Sequence, residues 1–237
     1  MDTIIFDVDD TLYDQAASFK KTCLKMFPGI FTEQDLDKLY IVSRKYSDSL
    51  FDRQVAGELT VREMHILRIQ SACREFGMGI SDMEALEFQQ AYVAEQQKIT
   101  LFEEVEEMLN LLKRRNKQLA VLTNGEEGHQ SMKIRQLELE KWIPSDNIFI
   151  SGAIGHAKPA VEPFRFIEEN LQLDREKTVY IGDSFANDIV GAKSAGWHAV
   201  WMNHRGRALP DHRYLPDKEV HSASELLQLF SEELSFV

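Results

Sequence analysis

Short apolar runs alternate with longer amphipathic segments over most of this chain. Runs of strand length that end at polar or turn residues predict β-strands around Ile4 and Ile5 and at 118–123, 147–151, 178–181 and 198–202. Apolar residues spaced three and four positions apart predict helices at 103–115, 126–139, 163–171, 185–195 and 224–234. This alternation predicts an α/β fold, a parallel sheet flanked by helices.

One long segment interrupts the alternation. Residues 15–97 show helical spacing throughout, and helices are predicted there at 32–51, 60–76 and 81–97, with Ser81 as an N-cap. We therefore predict a core formed by residues 1–14 and 98–237 and an inserted all-helical domain of residues 15–97.

Two carboxylates follow the first predicted strand. Asp7 and Asp9 stand two positions apart, so on an extended chain both side chains point the same way. Like charges that approach each other need a cation or a proton between them. Hard carboxylate oxygens suit Mg²⁺, which commonly binds protein carboxylates together with substrate phosphate. The pair indicates a metal site for phosphate chemistry, and a solvated acidic turn is the alternative explanation.

A second predicted strand also ends in polar residues, Thr123 and Asn124, followed by Gly125. The hydroxyl and the amide can donate hydrogen bonds to a phosphate oxygen, and the glycine lets the backbone come close to it. An ordinary Asn-Gly turn explains the same residues.

Two further segments carry charged candidates. Lys158 precedes Pro159 in a stretch without helical period, and it offers a compact positive charge, although a lone lysine is usually a surface residue. Asp183 follows the strand predicted at 178–181, and Asp188 lies about one turn further on. Capping of the next helix by Asp183 or Ser184 is the structural alternative.

Taken in order, these segments resemble the four motifs of the haloacid dehalogenase (HAD) superfamily: DVDDT at 7–11, the strand ending at Thr123, Lys158 before Pro159, and GDSFAND at 182–188. The resemblance covers the whole chain and implies a Rossmann-like sheet with a helical cap over the active site. In the family's phosphotransferases the residue two after the nucleophile is an acid, whereas its dehalogenases lack an acid there. Asp9 therefore implies a phosphatase or a phosphomutase.

The resemblance also implies a role for each residue. Asp7 would attack phosphorus to form an aspartyl-phosphate, and Asp9 would protonate the leaving oxygen and then deprotonate water. The implied ligands of Mg²⁺ are the Asp7 carboxylate, the Asp9 carbonyl and Asp183, with Asp188 near or behind them. The implied phosphate-binding residues are Thr123, Asn124 and Lys158. Tyr13, beside the acidic loop, is predicted to line the entrance.

Composition narrows the function further. The chain has 237 residues, of which 43% are apolar, enough for one core and a small accessory domain. Its net charge of −12 argues against nucleic acid as a partner, because phosphate backbones are bound by basic surfaces. The sequence shows neither a basic leader nor an apolar run of bilayer length, so we predict a cytoplasmic protein without a membrane partner. The oligomeric state has no signature in the sequence.

The predicted function is a Mg²⁺-dependent phosphatase for a small phosphorylated metabolite, with 5′-nucleotides, sugar phosphates and phosphoglycolate as candidate substrates. A phosphomutase of the same superfamily is the enzymatic alternative. A non-catalytic regulatory protein with the same fold is the third hypothesis. Release of inorganic phosphate distinguishes the first hypothesis from the other two.

Overall fold

A computed structural model of the protein describes residues 1–211 and 213–232. Its β-strands are β1 (Thr3–Phe6), β2 (Gln118–Thr123), β3 (Ile148–Ile150), β4 (Thr178–Gly182), β5 (His198–Met202) and β6 (Lys218–Val220). Its α-helices are α1 (Gln15–Met26), α2 (Glu33–Val55), α3 (Val61–Glu75), α4 (Asp82–Gln96), α5 (Glu103–Arg114), α6 (Glu127–Gln136), α7 (Ser151–Ile154), α8 (Val161–Leu171), α9 (Val190–Ala195) and α10 (Ala223–Ser231). A π-helical turn, Phe185–Ile189, leads into α9.

The strands form one parallel sheet in the order β3-β2-β1-β4-β5-β6. Strand β1 is central, since Phe6 pairs with Val121 of β2 on one side and with Ile181 of β4 on the other. The strand order reverses at β1, and open α/β sheets bind ligands outside the carboxyl ends of their strands at such a reversal. The predicted α/β fold, a Rossmann-like parallel sheet flanked by helices, is confirmed.

Side chains of β1 alternate between two hydrophobic layers. Ile4 and Phe6 pack in the layer that contains Leu109 of α5, whereas Ile5 packs in the opposite layer with Phe164 of α8. Burial of both faces explains the almost continuously apolar sequence of the strand. The carboxyl end of β1 is therefore fixed from both sides.

The chain forms two compact units, one made of residues 1–14 and the chain from 99 onward, the other of residues 15–98. The second unit contains α1 to α4 and has its own core, in which Phe19 packs edge-on against Phe88 and Tyr92. Each unit thus has an independent hydrophobic core.

Helices α3 and α4 each begin with a capping box. The side chains of Thr60 and Ser81 accept from the N–H groups of Glu63 and Glu84, and these glutamates reach back to the capping residues. The predicted N-cap at Ser81 is confirmed.

Some elements differ from the sequence prediction. The helix predicted at 185–195 begins as the π-helical turn, a form that is frequent at functional sites. Strand β6 was not predicted, because it is three residues long and only Val220 is buried. The helix predicted at 224–234 begins at Ala223, and residues 233 and 234 lie outside the described residues. Within residues 1–211 and 213–232, no helix has the length and apolar character needed to cross a bilayer.

Candidate active site

Polar residues at the ends of three neighbouring strands meet at one edge of the sheet. Asp7 directly follows β1, Thr123 is the last residue of β2, and Asp183 directly follows β4. The N–H of Asp7 donates to the Ile181 carbonyl at 2.8 Å, so the pairing with β4 continues up to this residue. The central position of β1 therefore places the three residues at the reversal of strand order.

Lys158 reaches the same edge from the loop before α8, and it is buried. Its ammonium donates to Asp7 Oδ1 at 2.8 Å, to Asp188 Oδ1 at 2.7 Å and to the Tyr180 hydroxyl at 2.7 Å. Burial alone would lower the pKa of Lys158, but the Asp188 and Asp7 charges outweigh burial and hold that pKa above its usual value. Lys158 is therefore a stable cation between two carboxylates.

Asn124 fixes the main chain of Lys158. Its Nδ2 donates to the Lys158 carbonyl at 2.8 Å, and its Oδ1 accepts from the Lys158 N–H at 2.9 Å. The sequence predicts this amide as a phosphate ligand, whereas in the structure both of its polar atoms bind the loop that carries the lysine. Its contact with the site is made through Lys158.

Asp7, Asp183 and Asp188 form a carboxylate cluster, in which one oxygen of each residue lies within 4.8 Å of the others. Asp188 lies in the π-helical turn, and its Oδ2 accepts from the Ser184 N–H at 2.8 Å. Gly182 leaves room for this side chain, because a Cβ at position 182 would lie 2.3 Å from the Asp188 carboxyl carbon. A glycine at the end of β4 is therefore required for the cluster to form.

The surroundings of Asp7 favour its protonated form. Burial raises the pKa of Asp7, the Lys158 charge lowers it, and the Asp188 and Asp9 charges raise it again, to about 6. A further cation beside the cluster would oppose this effect and keep Asp7 ionised.

Asp183 has a cationic neighbour on the loop after β5. Nη1 of Arg207 donates to the Asp183 carboxylate and to its carbonyl, each at 2.9 Å. Burial and the charge of Asp10 nevertheless raise the pKa of Asp183 well above its usual value, against the effect of Arg207. The same loop binds Asp10 through Arg205, at 2.6 and 3.0 Å.

Asp9 is held by three side chains that lie outside the four sequence motifs. Lys133 Nζ lies 2.7 Å from both carboxylate oxygens, Gln130 Nε2 donates to Oδ2 at 2.9 Å, and the Tyr13 hydroxyl donates to Oδ1. Burial alone would raise the pKa of Asp9, but the Lys133 charge and these hydrogen bonds hold it well below its usual range. The Tyr13 side chain bonds to Asp9 and is only 1% exposed. It therefore does not line an entrance, contrary to the sequence prediction.

The Thr123 side chain is a buried donor with no acceptor. It is 1% exposed, and its Oγ1 makes no hydrogen bond within the described part of the chain. An unsatisfied buried hydroxyl costs about 1–3 kcal/mol. A ligand oxygen at this edge of the sheet would satisfy it.

The charge balance of the site suits a divalent cation. The three carboxylates of the cluster face two cationic side chains, Lys158 and Arg207. Asp9 is balanced separately by Lys133. Carboxylate oxygens are hard ligands of the kind that Mg²⁺ prefers. The donor set and the uncompensated negative charge therefore both fit such an ion.

The structure brings together all the residues selected from the sequence: Asp7, Asp9, Thr123, Asn124, Lys158, Asp183 and Asp188. Sequence reasoning missed Gln130, Lys133 and Arg207. A signal existed for the first two, since they share a face of α6 with the core residue Ile134. The capping alternative holds for Ser184, whose Oγ accepts from the Asn187 N–H at 3.3 Å.

Comparison with known proteins shows which protein family this chain resembles. A family model described as haloacid dehalogenase-like hydrolase matches residues 1–196. The chain is 25% identical over 242 residues to "Putative HAD-hydrolase YfnB" of Bacillus subtilis (strain 168), which covers 98% of this chain and 96% of that protein. A solved structure of YfnB, described as bound to magnesium, matches with a TM-score of 0.72 and 24% identity over 96% of this chain and 97% of that one.

Two further relatives bear the names of different hydrolases. The (S)-2-haloacid dehalogenase of Pseudomonas sp. (strain YL) is 25% identical over 234 residues, which are 96% of this chain and 93% of that protein. The pyrimidine 5′-nucleotidase YjjG of Escherichia coli (strain K12) is 26% identical over 232 residues, which are 96% of this chain and 97% of that protein.

Proposed function

The chain belongs to the haloacid dehalogenase-like hydrolases, and within this family we propose that it is a Mg²⁺-dependent phosphatase that hydrolyses a small phosphomonoester through an aspartyl-phosphate. The observation that carries the proposal is the buried carboxylate cluster of Asp7, Asp183 and Asp188, with more negative charge than Lys158 and Arg207 balance. A site that must hold a cation beside a nucleophile suits phosphate transfer. Asp9 supports the same choice, because by resemblance the family's dehalogenases lack an acid at that position.

Asp7 is the proposed nucleophile. Its carboxylate oxygen attacks phosphorus, the bond from phosphorus to the ester oxygen breaks, and an aspartyl-phosphate forms. Lys158, 2.8 Å from Asp7, offsets the charge that gathers there, and the free hydrogen-bonding capacity of Thr123 suits a phosphate oxygen. Both groups are in place before substrate binds, which is the condition for electrostatic stabilisation of a transition state.

Asp9 is the proposed acid and base. It gives a proton to the leaving oxygen and then takes one from the water that attacks the aspartyl-phosphate. Because its pKa is held below the usual range, Asp9 rests in the ionised form that the second step needs. The first step needs a proton, and a phosphomonoester, whose second pKa is about 6, brings one when it binds as the monoanion.

The proposed metal ligands are the Asp7 and Asp183 carboxylates and the Asp9 carbonyl. Bound Mg²⁺ would polarise the phosphoryl group and let an anionic nucleophile meet an anionic substrate. Asp188 uses one oxygen for Lys158 and the other for the Ser184 N–H, so it stands behind the ligands and orients the lysine. The magnesium described in the YfnB structure supports the choice of Mg²⁺ as the ion.

The leaving group is proposed to be a small metabolite. The name of YjjG favours nucleoside monophosphates, ahead of sugar phosphates and phosphoglycolate. We propose that the helical unit, residues 15–98, acts as the cap that selects among them.

The experiment is phosphate release from this panel of esters, measured with Mg²⁺ and again with excess chelator, beside halide release from 2-haloacids. Chelator-sensitive phosphate release that disappears in Asp7→Asn supports the proposal. Halide release without phosphate release would make the protein a dehalogenase. If folded, metal-bound protein releases neither product, the phosphatase proposal is wrong. An assay for transfer of phosphate from one position to another within a sugar phosphate then distinguishes a phosphomutase, which catalyses it, from a regulatory protein, which does not.

A further inference from the structure

Helix α6 turns two polar side chains toward the interior of the core unit. Gln130 is 3% exposed and Lys133 is 2% exposed. They lie three positions apart and therefore share a face of the helix with Ile134, which belongs to the hydrophobic core. A helix normally fills such a face with apolar residues, so a buried glutamine and a buried lysine there require a specific partner.

That partner is the Asp9 carboxylate. Lys133 Nζ lies 2.7 Å from Oδ1 and 2.7 Å from Oδ2, and Gln130 Nε2 lies 2.9 Å from Oδ2. Gln130 Nε2 also donates to the Asn124 carbonyl at 3.0 Å, which fixes the amide between α6 and the end of β2. Donors to both oxygens define the plane of the carboxylate as well as its position.

The loop after β2 is shaped to admit this glutamine. Gly125 has a φ of 149°, and a Cβ there would lie 2.7 Å from Gln130 Nε2. Any larger residue at position 125 would push the amide away from Asp9. The glycine predicted to bring the backbone close to phosphate therefore also makes space for Gln130.

Stability alone gives little reason to keep this ion pair. Transfer of two charges out of water costs several kcal/mol per ion, and apolar residues of similar volume often replace a buried pair with no loss of stability. Lys133 and Asp9 are 2% and 17% exposed, so much of this cost applies to them. A role that depends on the exact direction of the Asp9 carboxylate accounts for the pair better than a contribution to folding.

We propose that Lys133 and Gln130 are positioning residues that fix the Asp9 carboxylate for its two proton transfers. The inference rests on the proposed phosphatase function and adds two residues to it. It predicts a dependence on the leaving group, because an alkoxide needs a proton from Asp9 in order to leave, whereas a nitrophenolate leaves without one.

The test compares kcat/KM for an alkyl phosphate and for 4-nitrophenyl phosphate in wild type and in Lys133→Met. We expect kcat/KM for the alkyl ester to fall by roughly 10²-fold and kcat/KM for the nitrophenyl ester to change by only a few-fold. Attack of water on the aspartyl-phosphate still needs Asp9, so this second step should be slow in Lys133→Met. We therefore also expect the variant to release a burst of about one nitrophenolate per active site before slow turnover. Lys193→Met is the matched control, since Lys193 pairs with Asp217 at 2.8 and 2.9 Å in the same unit and should not change the ratio of the two substrates.

Gln130→Met is the second variant, because it removes one donor without changing the charge, and it should shift the same ratio by a smaller factor. Equal losses on both esters in both variants would mean that the residues only support the fold, and the positioning role would be wrong. Wild type without activity on either ester would overturn the phosphatase proposal instead. Crystal structures of wild type and Lys133→Met check the geometry beside the kinetics, and an Asp9 carboxylate that does not move in the variant would also overturn the positioning role.

Discussion

Gly182 and Asp188 show how a single missing Cβ shapes this site. The Asp188 carboxyl occupies the space beside Gly182, and from there it binds both Lys158 and the Ser184 N–H. The position of Lys158 therefore depends on a residue that carries no functional group.

Gly182→Ala should displace Asp188, because the new Cβ would lie 2.3 Å from its carboxyl carbon. Lys158 would lose one of its two carboxylate partners, and we expect phosphate release to fall by about 10²-fold, the effect of a displacement of about 1 Å. Steady-state assays measure the loss. Gly79→Ala is the control, since nothing lies within 4 Å of a Cβ at that position; equal activities in the two variants would contradict this account.

The sequence was informative about residues at strand ends and uninformative about residues on helices. Asp7 and Asp183 could be predicted because an apolar strand leads directly to each of them. Lys133 could not, because its contact with Asp9 joins positions 124 residues apart and no local pattern specifies such a pairing. Asn124 was found for the same reason as Asp7, but its partner, the main chain of Lys158, depends on a loop whose path has no periodicity.

At the scale of elements, the strands were easier to predict than the details of the helix ends. The prediction for β5 matches the structure at both ends, because it is a compact apolar run that is buried on both faces. The sequence predicts that α10 begins at Ser224, whereas in the structure the N-cap is Ser222, whose Oγ accepts from the Glu225 N–H at 3.1 Å. Two nearby serines offer the same cap, and tertiary packing selects one of them.

Ser222→Ala should remove this cap and lower the free energy of unfolding by about 1 kcal/mol. Activity should stay at the wild-type level, because α10 contributes no residue to the site. Urea denaturation followed by circular dichroism measures the change. Ser194→Ala is the comparison, since the Ser194 hydroxyl donates to the Val190 carbonyl within α9 and caps no helix; a loss as large as that of Ser222→Ala would argue against a capping effect.

At the scale of the whole molecule, the helical unit is inserted between two points that lie close together. The Phe102 N–H donates to the Leu12 carbonyl at 3.1 Å, so the chain that leaves the core near Leu12 has returned to it by Phe102. An insertion of this kind leaves the sheet of the core uninterrupted.

We therefore expect residues 15–98 to fold as a separate polypeptide. The aromatic cluster around Phe19 lies within this segment and gives it a core of its own. Circular dichroism and the dispersion of amide resonances measure folding of the fragment. A fragment that stays unfolded while the full chain is stable would show that the unit needs the rest of the chain.

The metal-free protein should respond to Mg²⁺ in a pH-dependent way. Asp7 has its pKa raised from 3.8 to about 6, so between these values the metal-free fold holds a proton that the unfolded chain has released, and its stability falls as pH rises through this window. Mg²⁺ needs the ionised carboxylate, so the stabilisation by Mg²⁺ should be larger at about pH 7.5 than at about pH 5.

Thermal melts with Mg²⁺ and with chelator at the two pH values measure this effect. At a free Mg²⁺ concentration about 100 times the Kd, the expected gain in stability is about 2.7 kcal/mol. Asp183→Asn should lose most of this gain at both pH values. If the stabilisation of wild type by Mg²⁺ does not change with pH, the ion binds away from Asp7.

The central position of β1 has a further consequence for folding during synthesis. Thr3–Phe6 leave the ribosome before their partners on either side, Gln118–Thr123 and Thr178–Gly182, which follow more than a hundred residues later. The inserted helical unit is complete before either partner exists, and domains generally fold as units during synthesis. A nascent chain therefore carries a finished helical unit and a solitary apolar strand, which is the state that chaperones would meet.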